Sequence, residues 1–340
     1  MGKFIVFLCS LVMLLSCGQE TPKNTITDVQ TVVLLDSPLK SWADGPRTRI
    51  MNWVEEVTDS TGKHYIPEAD RIAVFDNDGT LWPEQPVPNQ LVYAIDFVRS
   101  QADQHPEWAK DAALKAFIDG HPDALRKAGK KGLGKLMAIS HSGMSETAFN
   151  EHVQQWIDTA KDKKFGKPYR ELVYQPMLEL LEQLRENGFK NFIVSGGGAD
   201  FMRVWTEKVY GIPPYQVVGS YSGAKFELKD STPVITKLPQ DLYVDDKEGK
   251  PVAIHRFIGK VPVFCGGNSD GDLAMMQYTA GSKYKPMNVL IYHTDAEREY
   301  QYDLKTLSGH LEKALVEAKA RGWVVVDMKN DFRRVFPFEK

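Results

Sequence analysis

Short, largely apolar runs alternate with helical patterns along most of the chain, and three of these runs end in loops of small and acidic residues. Residues 71–75 (RIAVF) lead into Asp76-Asn77-Asp78-Gly79-Thr80. Residues 191–194 lead into Ser195-Gly196-Gly197-Gly198, and residues 261–264 into Gly266-Gly267-Asn268. A run apolar at every position suits a strand buried on both faces, the normal state of strands in a parallel sheet. Residues 289–292 and 323–326 read as further strands. Helical patterns cover 47–57, 176–187, 199–210, 270–278 and 308–321, with Pro176 in a first turn and Gly188 just past an end. Strands alternating with helices predict an α/β fold with a doubly wound parallel sheet covered on both faces. In such sheets the ligand sits outside the carboxyl ends of the strands, so three loops distant in sequence are expected to meet at one site.

Residues 84–170 have a different character, with helical patterns over 89–104, 107–118 and 145–161 and few strand signals. They are expected to form an inserted helical cap domain above the site, with residues 29–83 and 171–340 as the core domain. Hydrophobic residues at 42% and charged residues at 26% are ordinary globular usage, which excludes a disordered chain, a collagen and a multi-span membrane protein. The 42 Lys and Arg against 45 Asp and Glu give a net charge of -3, so nucleic acid is not an expected partner. Lys127, Lys130, Lys131 and Lys135 form a basic run expected to be a solvated helix face. His121, His141 and His152 lack metal-ligand spacing and are expected in the surface or core of the cap.

The chain opens with Lys3 and an apolar run of about 12 residues, too short to span a bilayer, which needs about 20. The run closes at Leu14-Leu15-Ser16-Cys17, which resembles the lipobox of bacterial lipoproteins. That resemblance implies a signal peptide over residues 1–16, lipidation of Cys17 and a tether over 17–28. It places the protein in the bacterial cell envelope, anchored to a membrane. Gly18, where an aspartate would retain a lipoprotein at the inner membrane, points to the periplasmic face of the outer membrane. Three cysteines cannot build a disulfide framework, and Cys265, inside an apolar run, is expected to be buried and structural.

The loop Asp76-Asn77-Asp78-Gly79-Thr80 carries two carboxylates two residues apart at a strand end. Such a pair can bind a divalent cation through oxygen. One member can attack phosphorus, while the other serves as general acid and base. The N–H groups of Gly196 and Gly197 are candidates for cradling a phosphate at a helix start.

The DxDGT sequence resembles the first motif of the haloacid dehalogenase superfamily, and the other loops occur in that family's order. The resemblance covers residues 70–295 and is nearest to the phosphoserine-phosphatase-like branch, with a Rossmann-like core and a helical cap. It implies Asp76 as nucleophile, Asp78 as general acid/base, and Ser195 as the phosphate-binding hydroxyl. It also implies a lysine, either Lys250 at a helix start or Lys260, with Lys250 preferred. Thr80, Gly196, Gly197 and Glu84 are the expected substrate-binding residues, Glu84 against a cationic leaving group. Gly267-Asn268-Ser269-Asp270-Gly271-Asp272 resembles the acidic motif, but Asn268 stands where many relatives carry an aspartate. Mg²⁺ is the implied cofactor, with Asp76, Asp78, Asn268 and Asp272 as the metal set and Asp270 as an alternative ligand. Asp78 favours phosphate transfer over carbon–halogen cleavage, because dehalogenases lack that second carboxylate. The expected function is hydrolysis of a small phosphomonoester, phosphoserine- or phosphocholine-like. The alternatives are a phosphotransferase of the same fold and a non-catalytic lipoprotein that binds a phosphorylated ligand.

Overall fold

Ile72–Phe75 forms strand β1, buried along its whole length. Successive strand side chains point to opposite faces. Ala73 and Phe75 accordingly join one apolar core, while Ile72 and Val74 join another. Two buried faces leave no polar alternation in the strand's sequence. The computed structural model describes residues 38–121 and 123–339. The expected signal segment, the tether and Cys17 lie outside the described residues. Among those residues, no helix is long and apolar enough to cross a membrane.

The remaining strands are β2 (Lys190–Gly198), β3 (Val217–Ser220), β4 (Ala224–Lys229), β5 (Thr232–Lys237), β6 (Phe264–Gly267), β7 (Met287–Tyr292) and β8 (Val324–Asp327). Six of the strands form one sheet in the order β3-β2-β1-β6-β7-β8, and every neighbouring pair in it is parallel. This is the expected doubly wound, Rossmann-like α/β sheet. From β1 the chain steps outward to β3 on one side, and from β6 outward to β8 on the other. The winding therefore reverses between β1 and β6, and the loops leaving those strands diverge around a crevice.

The helices that matter here are α1 (Asp44–Thr58), α2 (Asn89–Gln101), α3 (Ala112–Ile118), α4 (Ala124–His141), α5 (Glu146–Thr159), α6 (Gln175–Glu186), α7 (Ala199–Arg203), α8 (Thr206–Tyr210), α9 (Gly249–Ala253), α10 (Leu273–Ala280) and α11 (Lys313–Arg321). α1 and α6 bring Trp53, Val54, Leu180 and Leu184 to the core that holds Phe75. α9, α10 and α11 bring Ala253, Met275, Met276, Ala314 and Ala318 to the core that holds Val74. In the inserted block, α2, α3 and α4 close a small core of their own around Val98, Phe117 and Leu136. α5 instead sends Phe149, Val153 and Trp156 into the main core. The block expected to act as one cap is thus divided between two cores.

Several expected elements are redrawn. The helix expected over 107–118 breaks at Asp111, whose Oδ1 accepts the N–H groups of Ala113 and Leu114 at 3.0 and 3.2 Å and starts α3 afresh. The helix expected over 199–210 is two short ones, α7 and α8. The third motif strand begins at Phe264 rather than 261, because Pro262 has no N–H to give a ladder. The last helix begins at Lys313 rather than 308. β3 and the antiparallel hairpin β4–β5 have no counterpart in the sequence reading. The hairpin also grips the α4–α5 loop: Lys237 N–H donates to Met144 O at 3.0 Å, and Gly143 N–H to Lys237 O at 2.9 Å.

Candidate active site

Asp76 is the first residue past β1, and its N–H donates to Gly266 O of β6 at 3.0 Å. This bond sets the first carboxylate at the point where the winding reverses. Lys250, in α9, is 2% exposed. Its ammonium lies 2.7 Å from Asp76 Oδ1 and 2.6 Å from Asp272 Oδ1. Burial alone disfavours that ammonium, but Asp272 and Asp76 outweigh burial and hold it above the usual lysine range. Burial raises the Asp76 carboxyl, Lys250 pulls it down, and Asp272 and Asp78 raise it further. Two acidic side chains thus share one ammonium at the strand ends, with Asp78 close enough to feel its charge.

The other Asp272 oxygen accepts the N–H groups of Asn268 and Ser269 at 2.9 and 3.0 Å. The sequence reading sets Asp272 behind Asn268 in the metal set, as a group that orients its neighbours. With Oδ1 on Lys250 and Oδ2 on the loop N–H groups, it ties the loop to the lysine. The alternative ligand Asp270 also lines the cleft, but its Oδ1 accepts the N–H groups of Glu312 and Ala314 at 3.1 and 2.8 Å. Lys260 sits at the surface, 2.7 Å from Asp70 Oδ1. Of the two candidate lysines, only Lys250 reaches Asp76.

Asp78 Oδ1 accepts the indole N–H of Trp82 at 2.8 Å. Burial raises the Asp78 carboxyl, against the pull of Trp82, Lys250 and Asn77. Trp82 is fully buried and stacks obliquely on Trp205, with ring centroids 4.5 Å apart. Ser195 is buried near the end of β2, and its Oγ accepts Gly197 N–H at 3.1 Å. The cradle expected at a helix start does not form. β2 runs on to Gly198 with a register shift against β3, α7 has only five residues, and the Gly197 N–H already has a partner. Gly196 and Gly197 nevertheless line the cleft.

Of two expected substrate-binding residues, Glu84 lines the cleft and Thr80 does not, and both make hydrogen bonds with Asn268. Thr80 is fully buried and its hydroxyl donates to Asn268 Oδ1 at 3.3 Å. Glu84 is buried, and its Oε1 accepts Asn268 Nδ2–H at 2.6 Å and the Tyr302 hydroxyl at 3.0 Å. Burial pushes the Glu84 carboxyl up to about 8; Ser308 and His293 oppose the rise, and Asp78 and Asp76 add to it.

Other groups at the site carry no motif signal. His293, on the segment after β7, places Nε2 2.7 Å from Gly79 O and Nδ1 3.1 Å from Glu299 Oε2, supporting the first loop from behind. Gln90 of α2 accepts Gly198 N–H at 2.7 Å and meets His141 Nε2 at 2.8 Å, joining the cap to the β2 loop. The other cap histidines do neither: His105 stacks on Trp108, His121 is exposed beside Asp119, and His152 packs on Phe97. The four lysines of the basic run are exposed. Cys265 is a free, buried thiol.

A cleft of about 1010 Å³ opens over Asp76, Asp78, Ser195 and Lys250, and Leu91, Leu133 and Met137 from α2 and α4 form its far wall. Asp76, Asp78 and Asn268 offer only oxygen donors, the chemistry that Mg²⁺ takes, and the surplus of carboxylates over ammonium suits a divalent cation. Among the described residues no three His, Cys, Asp or Glu side chains group as a metal site by themselves. A cation here would therefore rely on the Asn268 amide oxygen and on main-chain or water oxygen.

The sequence profile of the haloacid dehalogenase-like hydrolases matches residues 73–277, and the chain belongs to that family. Solved structures with the same architecture include a conserved protein of unknown function from Anaerococcus prevotii. It is 13% identical, with 85% of this chain and 93% of that one covered at a TM-score of 0.55. A phosphoserine phosphohydrolase-like protein from Francisella tularensis is 16% identical, with 74% and 99% covered at a TM-score of 0.37. A phosphoserine phosphatase from T. onnurineus is 17% identical, with 68% and 88% covered at 0.31. At 13% identity and a TM-score of 0.55, the likeness to the Anaerococcus prevotii protein is one of fold. No curated protein matches the chain.

Proposed function

We propose that the chain is a Mg²⁺-dependent phosphomonoester hydrolase working through an aspartyl-phosphate. The observation that carries this reading is the buried Lys250 ammonium, 2.7 Å from Asp76 and 2.6 Å from Asp272 at the floor of the cleft. It supplies positive charge where a phosphoryl group would meet Asp76, in a setting that strengthens such charge. An Asp76 oxygen attacks phosphorus and the ester bond to the leaving oxygen breaks. Asp78, held by Trp82, gives that oxygen a proton. It then takes a proton from the water that attacks the aspartyl-phosphate, which releases inorganic phosphate and restores Asp76. Ser195 and Lys250 hold the transferring oxygens. Asp76, Asp78 and Asn268 would hold the Mg²⁺ ion, whose charge neutralises phosphoryl oxygens. The apolar wall of Leu91, Leu133 and Met137 receives the organic part of a small ester.

This enzyme would act at the cell envelope. The reading of residues 1–17 has it tethered by lipid on Cys17, at the periplasmic face of the outer membrane. Metabolic labelling with a fatty acid tests the anchor: label should appear on the unaltered protein and be absent from Cys17→Ala. The chemistry is tested by phosphate release from an aryl phosphate with Mg²⁺, with a chelator, and in Asp76→Asn. Both controls should lose turnover. Unchanged turnover in Asp76→Asn would refute the mechanism.

A further inference from the structure

The departure at Asn268 has a structural counterpart on the other side of the site. Glu84 Oε1 receives two donors, Asn268 Nδ2–H at 2.6 Å and the Tyr302 hydroxyl at 3.0 Å. Tyr302 is fixed in turn by its stack on His293, with ring centroids 4.3 Å apart. Two glycines make room for this carboxylate. Gly79 has φ +82°, and a Cβ there would collide with both Glu84 Oε1 and Asn268 Nδ2; Gly309 has φ +76°, and a Cβ there would collide with Glu84 Oε1 and the Tyr302 ring. Both positions favour glycine twice over, by backbone and by space.

An amide has two unlike ends, and its surroundings choose which end points where. Glu84 accepts the N–H end. The carbonyl end Oδ1 is thereby turned toward the first loop, where the Thr80 hydroxyl reaches it at 3.3 Å. An aspartate at 268 would have no N–H to give. At that 2.6 Å the two carboxyl groups would have to share a proton, and an aspartate, with two like oxygens, would have no unlike end to fix which oxygen faces the first loop.

We infer that Glu84 is a positioning residue that orients the Asn268 carbonyl oxygen for a divalent cation, and that acid at 84 and amide at 268 are an interdependent pair. Glu84 thus serves the cation through Asn268. The inference rests on the phosphatase reading only in taking the cation to be Mg²⁺.

The test exchanges the two groups. Asn268→Asp, Glu84→Gln with Asn268→Asp, and Glu84→Leu are titrated with Mg²⁺ by calorimetry, without substrate, beside the unaltered protein. Asn268→Asp alone should weaken Mg²⁺ binding by roughly 10–100-fold, the usual cost of losing a partner that orients a ligand. The double exchange rebuilds the same hydrogen bond with its direction reversed, and should recover affinity to within a few-fold of the unaltered protein. Glu84→Leu should lose affinity like the single Asn268 variant. The exchanged pair carries the decision, because recovery shows that the fold is intact. The pairing is overturned if Asn268→Asp alone binds Mg²⁺ as tightly as the unaltered protein or tighter, or if the double exchange is no better than the single. Phosphate release by the unaltered protein, assayed separately, reports on the phosphatase reading itself.

Discussion

Asp245 is 0% exposed, and neither of its carboxyl oxygens has a hydrogen-bond partner among the described residues. It lies in the segment between β5 and α9, where its main-chain N–H donates to Ser220 Oγ at 2.9 Å. Burial pushes its carboxyl from the ordinary 3.8 up to about 6, opposed by Lys250 and reinforced by Asp246. The direction of the linkage follows from proton uptake. Below the ordinary value both folded and unfolded chains carry the proton. Between 3.8 and about 6 the unfolded chain ionises while the folded chain keeps its proton, so stability falls as pH rises. At about 1.4 kcal/mol per pH unit the loss reaches about 3 kcal/mol and stays constant above pH 6. Asparagine has nearly the same shape and never ionises. Asp245→Asn should therefore be more stable by about 3 kcal/mol at neutral pH and by about half that near pH 5. Urea denaturation across this range measures the gap. A variant that is less stable at neutral pH, or a gap that does not change with pH, would refute the reasoning. Either result would mean that the carboxyl is not raised in the fold, because a partner or solvent stabilises its ionised form.

Lys250→Met removes the one ammonium between Asp76 and Asp272; phosphate release should vanish and stability fall by about 3–5 kcal/mol, read by chemical denaturation. Trp82→Phe deletes the indole donor to Asp78, so the Asp78 carboxyl should rise further. The basic limb of the kcat/KM profile should then move up by about one pH unit, whereas a stationary profile would deny Asp78 the role of acid. Gly79→Ala places a Cβ against Asn268 and Glu84 at a positive φ. Thermal melting should drop, and Mg²⁺ affinity measured by calorimetry should drop with it.

The sheet core was legible because β1, β2 and β7 are buried on both faces, and such strands advertise themselves as unbroken apolar runs. The hairpin β4–β5 carries the alternation of a strand in Lys225 to Lys229, but its Phe226, Leu228 and Ile235 face solvent, so it lacks the buried apolar run that marked the sheet. The start of α11 was hidden for another reason: Asp270, distant in sequence, supplies the acceptor for its first N–H groups. At the site, motif spacing brought Asp76, Asp78, Ser195 and Lys250 onto one cleft. It could not tell which polar groups face one another. Lys250 meets Asp76 across 174 residues, and Asn268 meets Glu84 across 184. The motifs placed Asp272 and Glu84 near the metal and the substrate, but did not show that Asp272 would meet Lys250 or that Glu84 would meet Asn268 and Tyr302. His293 and Gln90 lie outside any motif, and only the folded chain brings them to the Gly79 and Gly198 loops.

The central claim is that Asp76 becomes phosphorylated during turnover. The most direct measurement is acid quenching of the enzyme with a phosphomonoester and Mg²⁺, followed by peptide mass spectrometry. One added phosphoryl group should appear on the peptide holding Asp76. It should be absent from Asp76→Asn and accumulate when Asp78→Asn slows attack by water. Phosphate release with no phosphoryl group on that peptide, or undiminished release by Asp76→Asn, would contradict the account.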